Sequence, residues 1–548
     1  MTLTDSLQHA VEAWMSADHD PDCVEELTHL VETAQDQELL HRFTSPLTFG
    51  TAGLRGPVQA GPAGMNRRTV RRTTQGVVTW LATQGADAFD RGVVVGCDAR
   101  HGSSDFYDEV LRVLQFYGVL TIALPSQLPT PLVPWTVQLL GAAAGIMITA
   151  SHNPAADNGY KLYVGDGAQV HVPDDEFIER AASSSAELGA LLEAPVDTST
   201  GLAAVAAYLD HVAVRWRLAE PSTMRVVYTP VCGVGGITAR EVLIRCGYPN
   251  LILVDSQMRP DPDFGGLAFP NPEESGVLEA ALALGREHSA HIIIANDPDA
   301  DRLAVAVASP HGDWVTLTGD EVGWILGDAA LRRGLDSSQV LATSLVSSSL
   351  LGRMASSRGA TMVTTLTGFK WIARAGVATG RQLAFGYEEA LGYAVDPLVA
   401  DKDGISAAVA LLQVANEQHE AQRTLLDLLN DIRREFGDVV VSQVSVRAAN
   451  DGDWRVLCGV VENLSTHAPS TLGGWPVTAT TDLSIATPER ASTPGVVFAL
   501  GHHGRVVIRP SGTEPKVKAY LEVVRDSPRD DTMTQLRNDV RQLLTPTN

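Results

Sequence analysis

Short apolar runs, each ending in a polar turn and separated from the next by a helix-length stretch, recur along the chain and confine it to an α/β architecture. Gly92-Val-Val-Val-Gly-Cys-Asp-Ala-Arg100 reads as a buried strand entering a polar loop, and Ser103 to Phe116 as the helix after it. The strand Leu120 to Ala123, the turn Pro129-Thr-Pro131 and the strand Ala143-Ala-Gly-Ile-Met-Ile-Thr-Ala150 continue the alternation, which favours a largely parallel sheet covered by helices. A second unit opens with Met224-Arg-Val-Val-Tyr-Thr-Pro-Val-Cys-Gly-Val-Gly-Gly236, strand then Gly-rich turn then helix, but this is not GxGxxG and implies no dinucleotide. A third runs from Thr318-Gly-Asp-Glu321, a helix cap, through strands at Val340 to Leu345, Met362 to Thr365 and Leu383 to Gly386. From Val439 the order becomes strand, helix, two strands and a C-terminal helix, Asp531 to Leu544.

These 548 residues are too many for one core. The pattern predicts a helical arm over 1–43, α/β domains over 44–203, 204–314 and 315–437, and a smaller α+β domain over 438–548. The expected fold is therefore α/β, three similar mixed domains plus a C-terminal α+β domain. In the arm, Trp14, Leu27, Leu30, Val31, Leu39 and Leu40 are available to pack against a neighbour.

His291-Ile-Ile-Ile-Ala-Asn-Asp-Pro-Asp-Ala-Asp-Arg302 carries the strongest chemical signal. A buried strand that breaks into alternating aspartates delivers Asp297, Asp299 and Asp301 to one place. Three carboxylates so close repel one another unless protonated or neutralised, and a hard divalent ion such as Mg2+ takes oxygen ligands of this kind. A solvated acidic turn is the bland alternative. An EF-hand fails, because counting from Asp297 puts Arg302 at the sixth position and Ala308 at the twelfth, where Gly and Glu are required. Mg2+ commonly shares its coordination with a phosphate oxygen, which directs the search to phosphate-binding residues elsewhere.

Composition limits where such a phosphate comes from. The formal charge of −24 argues against broad nucleic-acid or anionic-membrane binding, so a phosphate needs a local positive pocket. Cys23, Cys97, Cys232, Cys246 and Cys458 are odd in number and lack a CxxC pair, which speaks against structural disulfides and a zinc cluster. The N-terminus has no basic lead or apolar signal core, and no apolar stretch is long enough to span a bilayer, so the expected location is cytoplasmic.

Four other stretches carry candidate chemistry. Leu47-Thr-Phe-Gly-Thr-Ala-Gly-Leu-Arg-Gly56 combines a Gly-rich backbone with Arg55, a forked donor. Ser151-His-Asn-Pro154 follows a strand, where α/β sheets collect ligands. The flanking Thr149 and Asn153 exclude a hydrolase elbow, which leaves a turn cap and a reactive serine both open. His152 and Lys161 offer proton transfer and positive charge beside it. Tyr387-Glu-Glu-Ala-Leu-Gly392 places Glu388 and Glu389 at a strand end, where they suit sugar hydroxyls or a helix start, and Lys370 lies in the loop Thr367-Gly-Phe-Lys370. Arg505-Val-Val-Ile-Arg-Pro-Ser-Gly-Thr-Glu-Pro-Lys516 gathers Arg509, Ser511, the amides of Gly512 and Thr513, and Lys516 into the inventory of a phosphate nest.

Together these motifs resemble the α-D-phosphohexomutase superfamily of phosphoglucomutase and phosphomannomutase. Thr149-Ala-Ser-His-Asn-Pro154 is similar to its phosphoserine loop, Asp297-Pro-Asp-Ala-Asp-Arg302 to its metal loop, Tyr387 to Gly392 to its sugar loop, and Arg509-Pro-Ser-Gly-Thr513 to its phosphate loop. The resemblance implies four domains around a central cleft and an enzyme that interconverts 1-phospho and 6-phospho forms of an aldohexose, glucose or mannose. It implies catalytic roles for Ser151, His152, Lys161 and Arg55, and Mg2+ on Ser151, Asp297, Asp299 and Asp301. Sugar or positive-charge contacts would come from Arg302, Lys370, Glu388 and Glu389. Arg509, Ser511, Gly512, Thr513 and Lys516 would anchor the phosphate that is not reacting. A sugar 1,6-bisphosphate would serve as intermediate and activator. The expected partner is a small phosphosugar, with no nucleic acid or membrane, and the expected assembly is a monomer or homodimer. Ala390 stands where many members have Ser, and Cys232 where His is common; the Glu-Glu-Ala form resembles the branch that holds phosphopentomutases and sugar-bisphosphate synthases. A ribose or deoxyribose phosphate mutase is therefore the alternative, and a non-catalytic sugar-phosphate sensor a third reading.

Overall fold

The computed structural model describes residues 5–50, 53–189, 191–192, 196–309, 311–487, 491–511, 515–525 and 531–545. The chain forms two compact units, Met1–Leu317 with Gly392–His419, and Thr318–Leu391 with Glu420–Asn548.

The first unit holds two five-stranded sheets. In the first the strands lie in the order Leu54–Pro57, Asp157–Val164, Ala144–Ile148, Val93–Cys97, Thr121–Ala123. Val93–Cys97 and Ala144–Ile148 are buried throughout and pair in parallel, as apolar runs covered on both faces do. The expected largely parallel sheet needs correction at one side. Asp157–Val164 runs antiparallel to both of its neighbours, because only the tight turn at 149–156 separates it from Ala144–Ile148 and a parallel crossover needs a dozen residues or more. That hairpin sets Met147 opposite Lys161, so the turn bearing Ser151 and the Lys161 strand share one end. Helix Arg67–Leu81, capped by the Asn66 side chain on the Thr69 amide, buries Val70, Val77, Val78, Trp80 and Leu81 in this core. Full burial stabilises each such side chain by about 1.5–3 kcal/mol.

In the second sheet Ile292–Asn296, the acidic strand, runs parallel to Val226–Thr229 and antiparallel to Leu303–Ala308, with Trp314–Thr316 completing the expected hairpin. The segment 392–419 is stitched to this unit: Gly392 bridges to Arg302, the Tyr208 hydroxyl donates to Asp403 Oδ2 at 2.8 Å, and the Ser222 hydroxyl donates to Asn416 Oδ1 at 2.6 Å. The N-terminal arm is three short helices, Asp5–Ala17, Pro21–Glu32 and Asp36–Thr44, around Val11, Trp14, Leu27 and Leu39. Arg68 closes it, lying 4.0 Å over the Trp14 ring and donating to the Trp14 carbonyl.

In the second unit the strands Met362–Thr365, Gln339–Ser344 and Gln382–Glu388 are parallel, and helix Gly319–Arg332 begins with the expected Thr318 and Glu321 capping box. The C-terminal sheet is antiparallel, ordered Val439–Arg447, Lys516–Val524, Gly504–Pro510, Val496–Ala499, Ala479–Asp482. Sequence pattern found only two strands between the helices of this domain; Ala479–Asp482 and Val496–Ala499 escaped it because they are short and the first is mostly exposed. No described helix is long and apolar enough to cross a membrane.

Candidate active site

In the first unit the acidic loop is fixed by its backbone before its side chains act. The carbonyls of Asp297, Pro298, Asp299 and Ala300 accept from the amides of Ala300, Val234, Thr130 and Gly404 at 2.8 to 3.2 Å. The Asn296 side chain donates to the carbonyl of Arg302. Two glycines permit this approach: a Cβ on Gly233 would lie 2.3 Å from Pro298, and one on Gly404 2.1 Å from the Arg302 carbonyl. The Gly-rich turn of the second sheet is thus a wall of the acidic loop.

Ligand oxygens of Asp297, Asp299 and Asp301 lie within 4.8 Å of one another, all buried. Lys161, 1% exposed, donates to Asp299 Oδ2 at 2.7 Å and to Asp301 Oδ2 at 2.8 Å. Thr130 donates to the same Asp299 oxygen, and Lys402 Nζ lies 3.3 Å from Asp301 Oδ2. The other oxygens, Asp299 Oδ1 and Asp301 Oδ1, are buried and accept no hydrogen bond. Buried acceptors are rarely left so, and hard oxygens aimed at one point fit a divalent cation. The residues therefore suit a divalent metal.

Electrostatics divide the three carboxyls. Burial, then repulsion from Asp299 and Asp301, pushes Asp297 well above the usual carboxyl range. Burial opposes ionisation of Asp299 and Asp301 as well, but the Lys161 ammonium, joined at Asp301 by Lys402, holds both below that range.

Ser151 meets this cluster directly. It is 2% exposed, its Oγ donates to Asp297 Oδ2 at 3.0 Å, and His152 Nδ1 lies 3.2 Å from the same Oγ. Burial, then the charges of Arg302 and Arg55, drive His152 well below its ordinary pKa. The Ser151 backbone is left-handed, φ 55°, a conformation that costs a side-chain-bearing residue energy. Arg100 holds the turn in place, donating to the carbonyls of Ser151, Asn153, Pro154 and Asp157 at 2.6 to 3.0 Å. Arg55 donates to Asn153 Oδ1 at 3.1 Å, and Arg302 Nε lies 3.8 Å from Asp297 Oδ2.

In the second unit Glu388 ends the strand Gln382–Glu388 and its Oε1 accepts from the Gly368 amide at 2.7 Å, which joins the Thr367 to Lys370 loop to the glutamate pair. Glu389 Oε2 lies 3.3 Å from the hydroxyls of Ser344 and Ser347. Lys370 sits in the short helix Phe369–Ile372. On the C-terminal sheet Arg509 and Lys516 occupy adjacent strands, and the Ser511 amide donates to the Lys516 carbonyl at 2.8 Å. Gly512 and Thr513 lie outside the described residues.

Residues 46–188, 206–311, 318–436 and 477–542 match, in order, phosphoglucomutase/phosphomannomutase alpha/beta/alpha domains I, II and III and the C-terminal domain. This chain belongs to the phosphoglucomutase/phosphomannomutase family. It is 37% identical to the Haemophilus influenzae protein named "Probable phosphomannomutase", over 88% of this chain and 98% of that one. It is 34% identical to the Mus musculus phosphopentomutase, over 94% and 90% of the two chains. A solved phosphoglucomutase/phosphomannomutase family protein from Burkholderia thailandensis shares the fold, with a TM-score of 0.69 at 18% identity, over 91% of this chain and 98% of that one.

For a member of this family, sequence motifs located the serine and the carboxylates but missed what holds them. Arg100, Thr130 and Lys402 all touch the centre, and Ser344 and Ser347 touch Glu389. Lys402 had a signal: Asp401-Lys-Asp403 puts three charges at the start of an apolar helix, and all three are buried. Buried charges of this kind need partners. The others lie in unremarkable turns, and nothing local marks them.

Proposed function

We propose that this protein is a phosphosugar mutase, an enzyme that interconverts the 1-phospho and 6-phospho forms of glucose or mannose through a phosphorylated Ser151 and a bisphosphorylated sugar. The observation that carries the reading is the direct contact between a buried, strand-end serine and an aspartate of the three-carboxylate loop. Ser151 would yield its phosphoryl group to a sugar hydroxyl: the Oγ–P bond breaks as the new P–O bond forms, and the hydroxyl proton leaves to a base. His152, beside Oγ, would accept such a proton, and Lys161, which donates to two carboxylates, would give one back. The bisphosphate would then turn over and return its other phosphoryl group to Ser151. Mg2+, bound by Asp297, Asp299, Asp301 and an oxygen of the phosphorylated serine, would supply charge compensation for the transferring group.

Arg55 and Arg302 would add positive charge around the serine, offsetting the repulsion that a protein of net charge −24 presents to a dianion. Glu388 and Glu389 would accept from sugar hydroxyls, with Lys370 beside them. Arg509, Ser511, Gly512, Thr513 and Lys516 would hold the phosphate that is not reacting. A bidentate guanidinium with nearby hydroxyl and amide donors suits that task.

The pentose reading keeps specific support from relatives, among them the Mus musculus phosphopentomutase at 34% identity and the Schizosaccharomyces pombe protein named "Probable phosphoribomutase", also at 34%. Comparing kcat/KM for glucose, mannose and ribose 1-phosphates decides between the two. Preference for a hexose is expected, and a tenfold preference for ribose would overturn it. The sensor reading predicts binding without isomerisation. Intact-mass measurement after mixing with glucose 1,6-bisphosphate should show one added phosphoryl group, absent in Ser151→Ala.

A further inference from the structure

The turn 344–349 in the second unit has no part in the chemistry above, yet Glu389 and the strand that carries Arg509 both bond to it. On one side it faces the glutamates. Ser347 Oγ donates to Glu389 Oε2 and accepts from the Glu389 amide at 3.2 Å, and Ser344 Oγ reaches both Glu389 Oε2 and Ser347 Oγ. The Ser348 amide and the Tyr387 hydroxyl each donate to Asp320 Oδ1 at 2.7 Å, tying the turn to the strand that carries Glu388.

On its other side the turn is gripped by the C-terminal sheet. Arg505 shares the strand Gly504–Pro510 with Arg509, and its guanidinium donates to the carbonyls of Leu345, at 3.1 Å, and Ser347. Glu522, directly opposite Arg505 on the neighbouring strand and 5% exposed, accepts from the Ser349 amide at 2.7 Å and from the Ser349 hydroxyl. The two charges lie 3.7 Å apart. Leu345 and Val346 meanwhile pack against Val507 and Tyr520 of the same sheet and against Leu483, which follows its edge strand.

Packing alone does not call for this ion pair. Apolar side chains of similar volume would hold the two surfaces together at least as well, because desolvating the buried Glu522 carboxylate and the half-buried Arg505 offsets much of their attraction. What the pair adds is direction. A forked donor on two carbonyls and a carboxylate on an amide and a hydroxyl fix the rotation of the turn, and that rotation sets where Ser344 and Ser347 present Glu389.

We infer that Arg505 and Glu522 are positioning residues: through the turn 344–349 they hold the sugar-reading glutamates at a set register to the strand that carries the phosphate-anchoring Arg509. This rests on the proposed function, since it takes Glu389 to read the sugar and Arg509 its phosphate. Neither Arg505 nor Glu522 needs to touch substrate. Their work is to make one rigid gauge of two loops that are about 120 residues apart in sequence.

The test is a double-mutant cycle on the full chain, read by steady-state kinetics and by calorimetric binding of glucose 6-phosphate. Glu522→Gln and Arg505→Lys should each raise KM and weaken binding by about tenfold while kcat stays within about threefold, and Glu522→Asp should recover part of the loss. Combined with Glu389→Gln, either should add little further, because both act through the same carboxylate. Effects that multiply in the double variant, or a fall in melting temperature with KM and binding unchanged, would refute the relay. Ser349→Ala, which removes one donor and leaves both charges, carries the same cycle if the charge variants fold poorly. Should the unaltered protein turn over no sugar phosphate, the proposed function fails; should it turn over normally and the variants match it, only the relay does.

Discussion

The acidic centre of the first unit and the loops proposed for sugar and phosphate recognition in the second are built to different standards. Ser151, Lys161 and the three aspartates are buried, and their loops are pinned by backbone hydrogen bonds on every side. Arg509, Ser511, Lys516, Glu388 and Glu389 are all half-buried. Charge that must be stabilised as it develops benefits from dipoles fixed in advance in a low-dielectric site. Groups that must take up and release a sugar phosphate each turnover have to remain within reach of water. The same contrast appears in the backbone, where Ser151, Ala300, Val231 and Cys232 all adopt φ near 50–60° beside the acidic loop. Four left-handed residues other than glycine in one region mark a site where conformation is held against local preference.

The sharpest way to break this contrast is at Ser151. Ser151→Ala should reduce turnover by about 10⁴-fold or more, as loss of a covalent nucleophile does, with the fold retained. Ser151→Gly should be equally inactive yet about 1 kcal/mol more stable than the alanine variant, because only glycine adopts this φ freely. Thermal melts check the second statement, and an alanine variant that melts higher would show that the left-handed turn is not strained.

Next in size is the metal. Asp301→Asn should lower kcat by about 10³-fold, roughly 4 kcal/mol of transition-state stabilisation. It should also lower metal affinity in calorimetric titration, and chelation of the unaltered protein should reproduce the kinetic loss. Full activity after exhaustive chelation would remove the metal from the scheme.

The second unit supplies a stability effect from a single buried acid. Burial, the dominant cause, raises Asp320 to about 7, the negative charges of Glu389 and Glu522 adding to it while the Ser348 amide and Tyr387 hydroxyl oppose. Its folded pKa exceeds its unfolded one, so between pH 4 and 7 the folded state binds more protons and stability falls as pH rises through that window. Asp320→Asn keeps an oxygen for both donors and cannot ionise. It should flatten that slope and leave the variant more stable than the parent above pH 7, by at most about 4 kcal/mol. Urea titrations from pH 4 to 8 check this, and parallel curves for the two proteins would count against a raised Asp320.

How much of this was legible beforehand follows from what is local. The acidic loop, the serine turn and the capping box at Thr318 each lie within a few consecutive residues, so their chemistry shows in the sequence. The hairpin strand Asp157–Val164 did not, because Asp-Asn-Gly opens it and those residues usually mark turns. Nor did the contacts of Lys161 with Asp299, Thr130 with Asp299 and Lys402 with Asp301, which span 138, 169 and about 100 positions. Long-range partners of this kind leave no periodicity to read. Gly233 and Gly404 were visible as glycines, but that each makes room for the acidic loop depends on what the fold brings against them.

The smallest expected effect falls on the half-buried glutamates and sharpens the contrast between the units. Glu388 Oε1 accepts from the Gly368 amide, and a glutamine there keeps that oxygen, so Glu388→Gln should leave the loop unchanged. What it loses is charge. A hydrogen bond from a sugar hydroxyl to a carboxylate exceeds one to an amide by about 1 to 1.5 kcal/mol, which corresponds to about tenfold in KM. Because the sugar hydroxyls remain bound as the phosphoryl group moves, that loss should fall on ground and transition states alike, and kcat should stay within about threefold. The serine and the carboxylates must therefore show the opposite split, large in kcat and small in KM. If Glu388→Gln instead lowered kcat by 10²-fold at constant KM, the carboxylate would be acting on the transferring group, and the division between a buried centre for transfer and half-buried loops for recognition would not hold.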